Sequence, residues 1–227
     1  MPRLPIVQPL TQLPFSQACE NNKVPILAVL TQAFSLNQHV LEIGSGTGQH
    51  AVFFAANLPH LIWQTSDQAE YIEVISARCE QEGGLFNAGA NLALPLILDV
   101  TAPWPVEGLT PDIDSVFTAN TLHIMSKNMV EAFFTGLGLY LPQLKTLCIY
   151  GPFNYQGEFS SDSNRQFDSF LKQRDPASGI RDIEWICSLA SKQGLTLEQD
   201  VAMPANNRLL HFVRGYHFVR GSFLVKS

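Results

Sequence analysis

The sequence predicts an α/β fold: a seven-stranded, mostly parallel sheet with helices on both faces. Short apolar runs typical of buried strands alternate with segments whose apolar residues recur at helical spacing. Such alternation indicates βαβ units, which place parallel strands side by side. Near the C-terminus, two strands at 196–202 and 209–213 are joined only by a short turn at 204–207. Because so short a connection forces antiparallel pairing, the sheet is expected to end in an antiparallel hairpin.

The elements follow in chain order from this spacing. A helix at 25–34 is indicated by Ile26, Leu27, Leu30 and Phe34, which share one helical face. The glycines that follow the first strand make a turn into the next helix. The pattern then predicts strands at 39–43, 61–65, 94–100, 113–119 and 146–150, and helices at 49–58, 71–79, 129–141, 164–172 and 181–193.

The composition indicates one globular domain of a soluble protein. The chain has 227 residues, 46% hydrophobic and 15% charged, which favours a large core over disorder. We expect the domain to span 19–214, after a proline-punctuated extended segment at 1–18 and before a tail at 215–227. Residues 211–215 recur as 217–221, which we interpret as a local duplication.

Charge and cysteine usage exclude several classes of function. The net charge is -6 and no basic run is present, so no nucleic-acid partner is expected. The four cysteines are far apart, which favours a reducing cytoplasm over a disulfide framework or a zinc site. No cluster has metal-ligand spacing, and no apolar run approaches the roughly 18 residues that span a membrane. Neither a metal nor a membrane partner is therefore expected, and the oligomeric state is left open.

The loop after the first strand predicts a cofactor site. Leu41-Glu42-Ile43 leads into Gly44-Ser45-Gly46-Thr47-Gly48, and glycines let a ligand approach the backbone closely. A helix N-terminus follows, which suits a pyrophosphate or a carboxylate. A dinucleotide fingerprint needs a small residue where Gln49 stands, so the spacing instead favours the amino-acid end of S-adenosylmethionine. The cofactor-binding candidates here are Glu42, Gly44, Ser45, Gly46 and Gly48.

Three polar residues follow later strands, at the edge where open α/β sheets bind ligands. Asp67, after the second strand, has the position of a carboxylate that accepts hydrogen bonds from ribose hydroxyls, although a helix cap is the alternative. Asp99 ends the third strand and is interpreted either as an acceptor for an adenine amino group or as a turn residue. Asn120, after the fourth strand, is expected to face the cofactor.

The methyl acceptor is expected beside these residues. His123 is the candidate general base, because histidine titrates near neutral pH; a structural histidine is the alternative. Arg181 binds substrate or forms an ion pair with Asp168, and Asn206 is either a turn residue or a pocket edge. The remaining substrate-binding candidates follow the fifth strand: Tyr150, Asn154 and Tyr155.

With these residues in place, the chain resembles the family known as methyltransferase-like 26, or domain of unknown function 938, over residues 18–214. The resemblance implies a class I, Rossmann-like methyltransferase that uses S-adenosylmethionine and leaves the acceptor open. It also adds Lys23 to the cofactor-binding candidates, since Asn21 stands where the family has arginine. The motifs are Glu20-Asn21-Asn22-Lys23 with Pro25-Ile26-Leu27, residues 41–50, 63–67, 98–100, 120–124, 150–153, 163–168, 174–182 and 203–207.

We interpret the chain as an S-adenosylmethionine-dependent methyltransferase acting on a small molecule. One alternative is a non-catalytic protein that binds S-adenosylmethionine as a regulatory ligand. A second alternative is a nicotinamide-dependent oxidoreductase, which the Gln49 mismatch disfavours.

Overall fold

A computed structural model describes residues 12–83, 91–105 and 112–215, so most of the predicted lead-in and tail lie outside it. Apart from the start of the first helix and the end of the third, the described helices begin and end within two residues of the predicted positions. The elements are α1 (Gln17–Ala33), β1 (His39–Ile43), α2 (Gln49–Asn57), β2 (Ile62–Asp67), α3 (Ile72–Gly83), β3 (Leu92–Ile97), β4 (Ser115–Ala119), α4 (Lys127–Tyr140), β5 (Thr146–Gly151), β6 (Phe153–Asn154), α5 (Asp162–Arg174), β7 (Arg181–Asp182), α6 (Ile183–Lys192), β8 (Leu195–Met203) and β9 (Asn207–Arg214).

The main sheet has seven strands in the order β3-β2-β1-β4-β5-β9-β8. The first five pair in parallel, and β9 runs antiparallel to both β5 and β8. The predicted fold class is therefore confirmed. The chain winds outward from β1 in both directions, so the order reverses between β1 and β4. At such a switch point a crevice opens beyond the carboxyl ends of the strands, where α/β proteins bind ligands.

Both faces of the sheet are buried, as parallel strands require. Along β5, Leu147 packs into one core and its neighbour Cys148 into the other. The first core continues into α4 and α6 through Phe133 and Ile186, and the second continues into α1 through Leu30. This double cover explains why β5 is buried at every position and appears in the sequence as a continuous apolar run.

The first helix begins eight residues before the predicted start at 25. Ser16 caps it, accepting a hydrogen bond from Cys19 N at 3.3 Å, and the helix passes through Pro25. The apolar spacing that predicted this helix registers only from Ile26 onward, because residues 17–23 are mostly polar. The last two residues of the predicted lead-in segment therefore lie at or in this helix.

Two further differences concern strands. The third strand was predicted to reach 100, but β3 ends at Ile97, so Asp99 lies beyond the strand and does not end it. A second, two-stranded parallel sheet pairs β6 with β7, and the sequence did not predict it. Each of those strands has two residues, too few for any apolar period to register.

Candidate active site

The loop between β1 and α2 is shaped by glycines in the left-handed conformation. Gly44, Gly46 and Gly48 have φ angles of +77°, +55° and +74°. A Cβ at Gly44 would lie 2.5 Å from Thr121 Cγ2, and one at Gly48 would contact Arg78 at 3.4 Å. A Cβ at Gly46 would meet nothing within 4 Å. Packing thus explains the first glycine and the positive φ explains the third, whereas the second also leaves open space in front of the backbone.

Glu42 anchors this loop from inside the protein. Its Oε2 accepts hydrogen bonds from Ser45 Oγ at 3.0 Å and from Trp63 Nε1 at 3.1 Å. Ser45 Oγ in turn accepts from Ser66 N at 3.3 Å. Burial raises the pKa of Glu42 to about 7, although the hydrogen bonds from Trp63 and Ser45 lower it. With 2% of its surface exposed, Glu42 sets the shape of the loop through Ser45.

Asp67 joins the end of β2 to the same loop. Its Oδ2 accepts a hydrogen bond from Gly46 N at 2.6 Å, and its Oδ1 accepts one from Gln68 N at 2.8 Å. Burial raises the pKa of this carboxyl, and the two backbone donors lower it. Each carboxylate oxygen has a further lone pair, so Asp67 keeps the capacity to accept hydrogen bonds from a ligand.

A cleft of about 340 Å³ opens beside Gly46 and Asp67, within the size range of small-molecule sites. One end of it is polar and the rest is apolar. Such a shape suits a nucleoside, whose sugar hydroxyls need an acceptor and whose base needs apolar walls. The lining residues are Ile43, Gly44, Gly46, Asp67, Gln68, Tyr71, Leu98, Val100, Thr121, Ile124, Met125 and Met129.

Two side chains that the sequence analysis missed hold the segment before α1 against the loop. Gln49 Oε1 accepts from Ser16 N at 2.6 Å and from Thr47 Oγ1 at 3.1 Å. Arg78, 4% exposed, donates from Nε to Thr47 O at 2.6 Å and from Nη2 to the carbonyl oxygen of Pro14. Gln49 had appeared only as a mismatch to a dinucleotide motif. Here it couples the glycine loop to the start of α1.

A second cavity of about 550 Å³ adjoins the cleft and contains three of the predicted residues. Asn120 and His123 line it. The residue directly after each of them in the same loop, Thr121 and Ile124 respectively, lines the cleft. Asn120 has a φ of +59°, a strained conformation that marks functional sites more often than chance. Asn206 lies across the cavity, where its carbonyl oxygen accepts from Asn164 Nδ2 at 3.1 Å. The opposite wall comes from α1 and includes Cys19.

His123 is buried in the wall of this second cavity. Its ring packs edge-on against Phe167, with centroids 5.3 Å apart. Its carbonyl oxygen accepts a hydrogen bond from Gly179 N at 2.9 Å, which fixes the backbone. Burial lowers the pKa of His123 to about 4, and the nearby Arg181 charge lowers it further. The imidazole is therefore neutral at physiological pH.

Five cofactor candidates line neither of these two cavities: Glu42, Ser45 and Gly48, which belong to the β1 strand and its glycine loop, and Asp99 and Lys23, which lie elsewhere. Asp99 is exposed, and its Oδ1 accepts from the N–H and hydroxyl of Thr101 at 2.8 and 2.7 Å, which lower its pKa. Its neighbours in the chain, Leu98 and Val100, line the cleft instead. Lys23 pairs with Glu20 at 2.5 Å and lies over the ring of Phe53.

The substrate candidates divide into separate places. Tyr150 is not among the lining residues of the second cavity, but its hydroxyl accepts a hydrogen bond at 3.0 Å from Nδ2 of Asn207, which does line it. Asn154 and Arg181 line a third cavity, described below. Tyr155 donates to Asp200 Oδ2 at 2.7 Å, at the hairpin of β8 and β9.

The expected ion pair between Asp168 and Arg181 is not formed. Asp168 instead pairs with Lys172 at 2.6 Å and accepts from Ile180 N at 2.8 Å. The Arg181 guanidinium donates to the carbonyl oxygens of Leu122 and Ala177 at 3.1 and 2.9 Å. Arg181 thus stabilises the loop that carries His123, since a buried guanidinium satisfies several carbonyls at once.

Within the described ranges, no three His, Cys, Asp or Glu side chains gather as metal ligands. The helices of those same ranges are too short or too polar to cross a membrane.

The sheet order and the position of the glycine loop define a Rossmann-like fold of the methyltransferase type, and solved structures match it. A mitomycin 7-O-methyltransferase is 18% identical with a TM-score of 0.65, covering 83% of this chain and 54% of the enzyme. An O-methyltransferase family 2 protein from Planctomyces limnophilus, in complex with apigenin, is 15% identical with a TM-score of 0.72, covering 87% and 58%. An O-methyltransferase from neocarzinostatin biosynthesis, in complex with S-adenosylmethionine and 2-hydroxy-5-methyl naphthoic acid, is 12% identical with a TM-score of 0.68, covering 87% and 55%. The chain thus spans little more than half the length of these proteins.

The chain belongs to the family described as protein of unknown function (DUF938), whose profile matches residues 13–214. That match confirms the predicted resemblance to domain of unknown function 938. The designation methyltransferase-like 26 stays a prediction.

Proposed function

We propose that the protein is an S-adenosylmethionine-dependent methyltransferase that acts on a small molecule. The observation that carries the proposal is the cleft beside Gly46 and Asp67, at the switch point of a methyltransferase-type sheet. There the missing side chain of Gly46 leaves backbone accessible, and Asp67 retains lone pairs for a diol.

The residues of the cleft have the chemistry that the cofactor requires. Asp67 would accept hydrogen bonds from the ribose hydroxyls, and Leu98, Val100 and Met129 would pack against the base. When bound, S-adenosylmethionine supplies a methyl group on a positively charged sulfur, ready for transfer to a nucleophile. The open space at Gly46 lets the ligand lie against the backbone, where any side chain would displace it.

The second cavity is the proposed place of the acceptor. Asn120 and His123 reach it from the loop after β4, and the segment fixed by Gln49 and Arg78 closes its other side. A site between these elements would hold nucleophile and methyl donor in line, which is the main contribution an enzyme makes to such a displacement. Because His123 is neutral, its ring accepts a hydrogen bond from an acceptor hydroxyl and orients it.

Two neighbouring structures support a small-molecule acceptor. One holds apigenin, and the other holds a naphthoic acid beside S-adenosylmethionine. The net charge of -6 also disfavours a nucleic-acid acceptor.

The low basicity of His123 favours a second candidate function, in which the protein binds S-adenosylmethionine as a regulatory ligand without transferring its methyl group. A nicotinamide-dependent oxidoreductase is not favoured, because Gln49 is committed to Ser16 where a dinucleotide fold needs a small residue.

The test is incubation of the purified protein with S-adenosylmethionine labelled in the methyl group and a fractionated cell extract. We expect one small-molecule fraction to take up label with the wild type and not with Gly46→Val. Tight binding of the cofactor with no labelled product in any fraction would favour the regulatory function. Absence of binding would contradict both.

A further inference from the structure

A third cavity lies on the far side of the loop that carries His123. It has a volume of about 870 Å³ and a mostly polar lining. Its walls come from the start of α4, from the β6–β7 sheet and from the segment between α5 and β7, including Ser126, Asn154 and Asp182. It shares no lining residue with the proposed acceptor cavity, and Arg181, which lines it, donates to the carbonyl oxygen of Leu122. The two cavities are therefore distinct.

Two oxygen atoms in this cavity lack hydrogen-bond partners. Asn154 Oδ1 and Asp182 Oδ1 are both buried, and neither is hydrogen-bonded to another residue in the described part of the chain. Asn154 is 8% exposed. Buried polar atoms are almost always paired, because an unpaired one has lost its water without replacement. Two unpaired acceptors in one cavity indicate a missing donor.

The β6–β7 sheet brings these two oxygens together. Asn154 and Asp182 are register partners in a parallel pair, so their side chains point to the same face of the sheet from strands about 5 Å apart. Asp182 is also the N-cap residue of α6, yet its side chain makes no capping hydrogen bond. Aspartate at that position normally caps the helix, so this carboxylate is held in another direction.

Three cationic residues line this cavity, and within the described ranges none of them, Lys127 included, forms an ion pair with Asp182. Lys172 pairs with Asp168 at 2.6 Å, and Arg181 donates to backbone carbonyls. No ion pair involving Asp182 is found within residues 12–83, 91–105 and 112–215. A negative carboxylate and an amide oxygen side by side are the acceptors that an ammonium group requires.

We propose that this cavity binds a small molecule through a primary ammonium group, which donates hydrogen bonds to Asn154 and Asp182. The site is distinct from the proposed cofactor and acceptor sites. The proposal therefore stands or falls independently of methyl transfer.

The test uses the full chain and saturation-transfer NMR with propylamine as the probe and propanol as its neutral counterpart. We expect saturable binding of propylamine and none of propanol. Asp182→Asn keeps the side-chain volume and removes the charge, and Asn154→Leu removes the amide. Each is expected to weaken propylamine binding about tenfold or more, while binding of S-adenosylhomocysteine stays unchanged.

The matched control is Asp162→Asn, which neutralises an aspartate that is 93% exposed in the first turn of α5. It is expected to leave propylamine binding unchanged. Equal binding of propanol, or no effect of Asp182→Asn and Asn154→Leu in folded protein, would overturn the proposal. So would a lack of any saturable amine binding, since water or a rotated Asn154 amide would then satisfy the two oxygens.

Discussion

Replacing Gly46 by alanine separates cofactor binding from folding. The φ of +55° makes any side chain there unfavourable, and the left-handed conformation costs an L-residue about 1–2 kcal/mol. For a domain of this size that corresponds to a fall in Tm of roughly 2–8 °C. The new Cβ meets no protein atom within 4 Å, and the Gly46 N–H still donates to Asp67, so no further loss of stability is expected.

The same methyl group projects into space that the ligand is proposed to fill. Forcing one extra methyl into a packed site costs about 1–3 kcal/mol, which weakens binding about 5- to 150-fold. The assay is equilibrium dialysis with labelled S-adenosylmethionine, alongside thermal unfolding. The matched control is Gly194→Ala, where φ is +74° and a Cβ also meets nothing within 4 Å. We expect both variants to lose similar stability and only Gly46→Ala to lose affinity. Equal affinity in the two variants would refute the reasoning.

Three further predictions concern buried charges. Burial raises the folded-state pKa of Glu42 from 4.5 to about 7, so the wild type should lose about 3 kcal/mol of stability as pH rises between these values. Glu42→Gln should show no such loss when the free energy of unfolding in urea is measured at pH 5 and pH 8. The same pH dependence of stability in the wild type and in Glu42→Gln would contradict this prediction. Arg78→Met removes the hydrogen bonds donated to the carbonyl oxygens of Pro14 and Thr47. It should lower the free energy of unfolding by about 3 kcal/mol and the Tm by about 6–12 °C. An unchanged Tm would show that these hydrogen bonds do not stabilise the protein. Burial lowers the pKa of His50 and His123 to about 4, so their ring protons should not shift in NMR between pH 5.5 and 8; a midpoint near 6.5 for His123 would show that it is accessible to protons.

The same two histidines predict acid sensitivity. A histidine whose folded-state pKa lies below its ordinary 6.5 binds a proton more readily in the unfolded chain, so stability falls as pH drops from 6.5 towards 4. The full effect is about 3 kcal/mol for each. This loss of stability at low pH opposes the loss at high pH expected from Glu42. Replacing each residue singly separates the two contributions to stability.

The sheet could be predicted from the sequence because its strands are buried on both faces. A doubly buried strand such as β5 is apolar at nearly every position, and that signal survives without knowledge of its neighbours. Strands β6 and β7 have two residues each and depend on tertiary contacts, so they left no local pattern. The start of α1 was misplaced for a local reason: residues 17–23 are mostly polar, so the apolar spacing registers only from Ile26 onward.

The candidate site was predictable where chemistry and topology agree. Gly46 follows β1 and Asp67 ends the adjacent parallel strand β2, so their meeting at one sheet edge followed from the fold. Arg78 was missed because an arginine in a helix is usually exposed, and only the path of the segment before α1 buries it. Asn154 was expected beside His123, but the β6–β7 sheet carries it into a separate cavity.

The central claim is that the cleft beside Gly46 holds the sulfonium nucleoside. Calorimetric titration of S-adenosylhomocysteine into the purified wild-type protein tests it most directly. We expect one ligand bound per chain, and we expect S-adenosylmethionine to displace it in a competing titration. No measurable heat at millimolar ligand, together with an unchanged melting temperature, would contradict it.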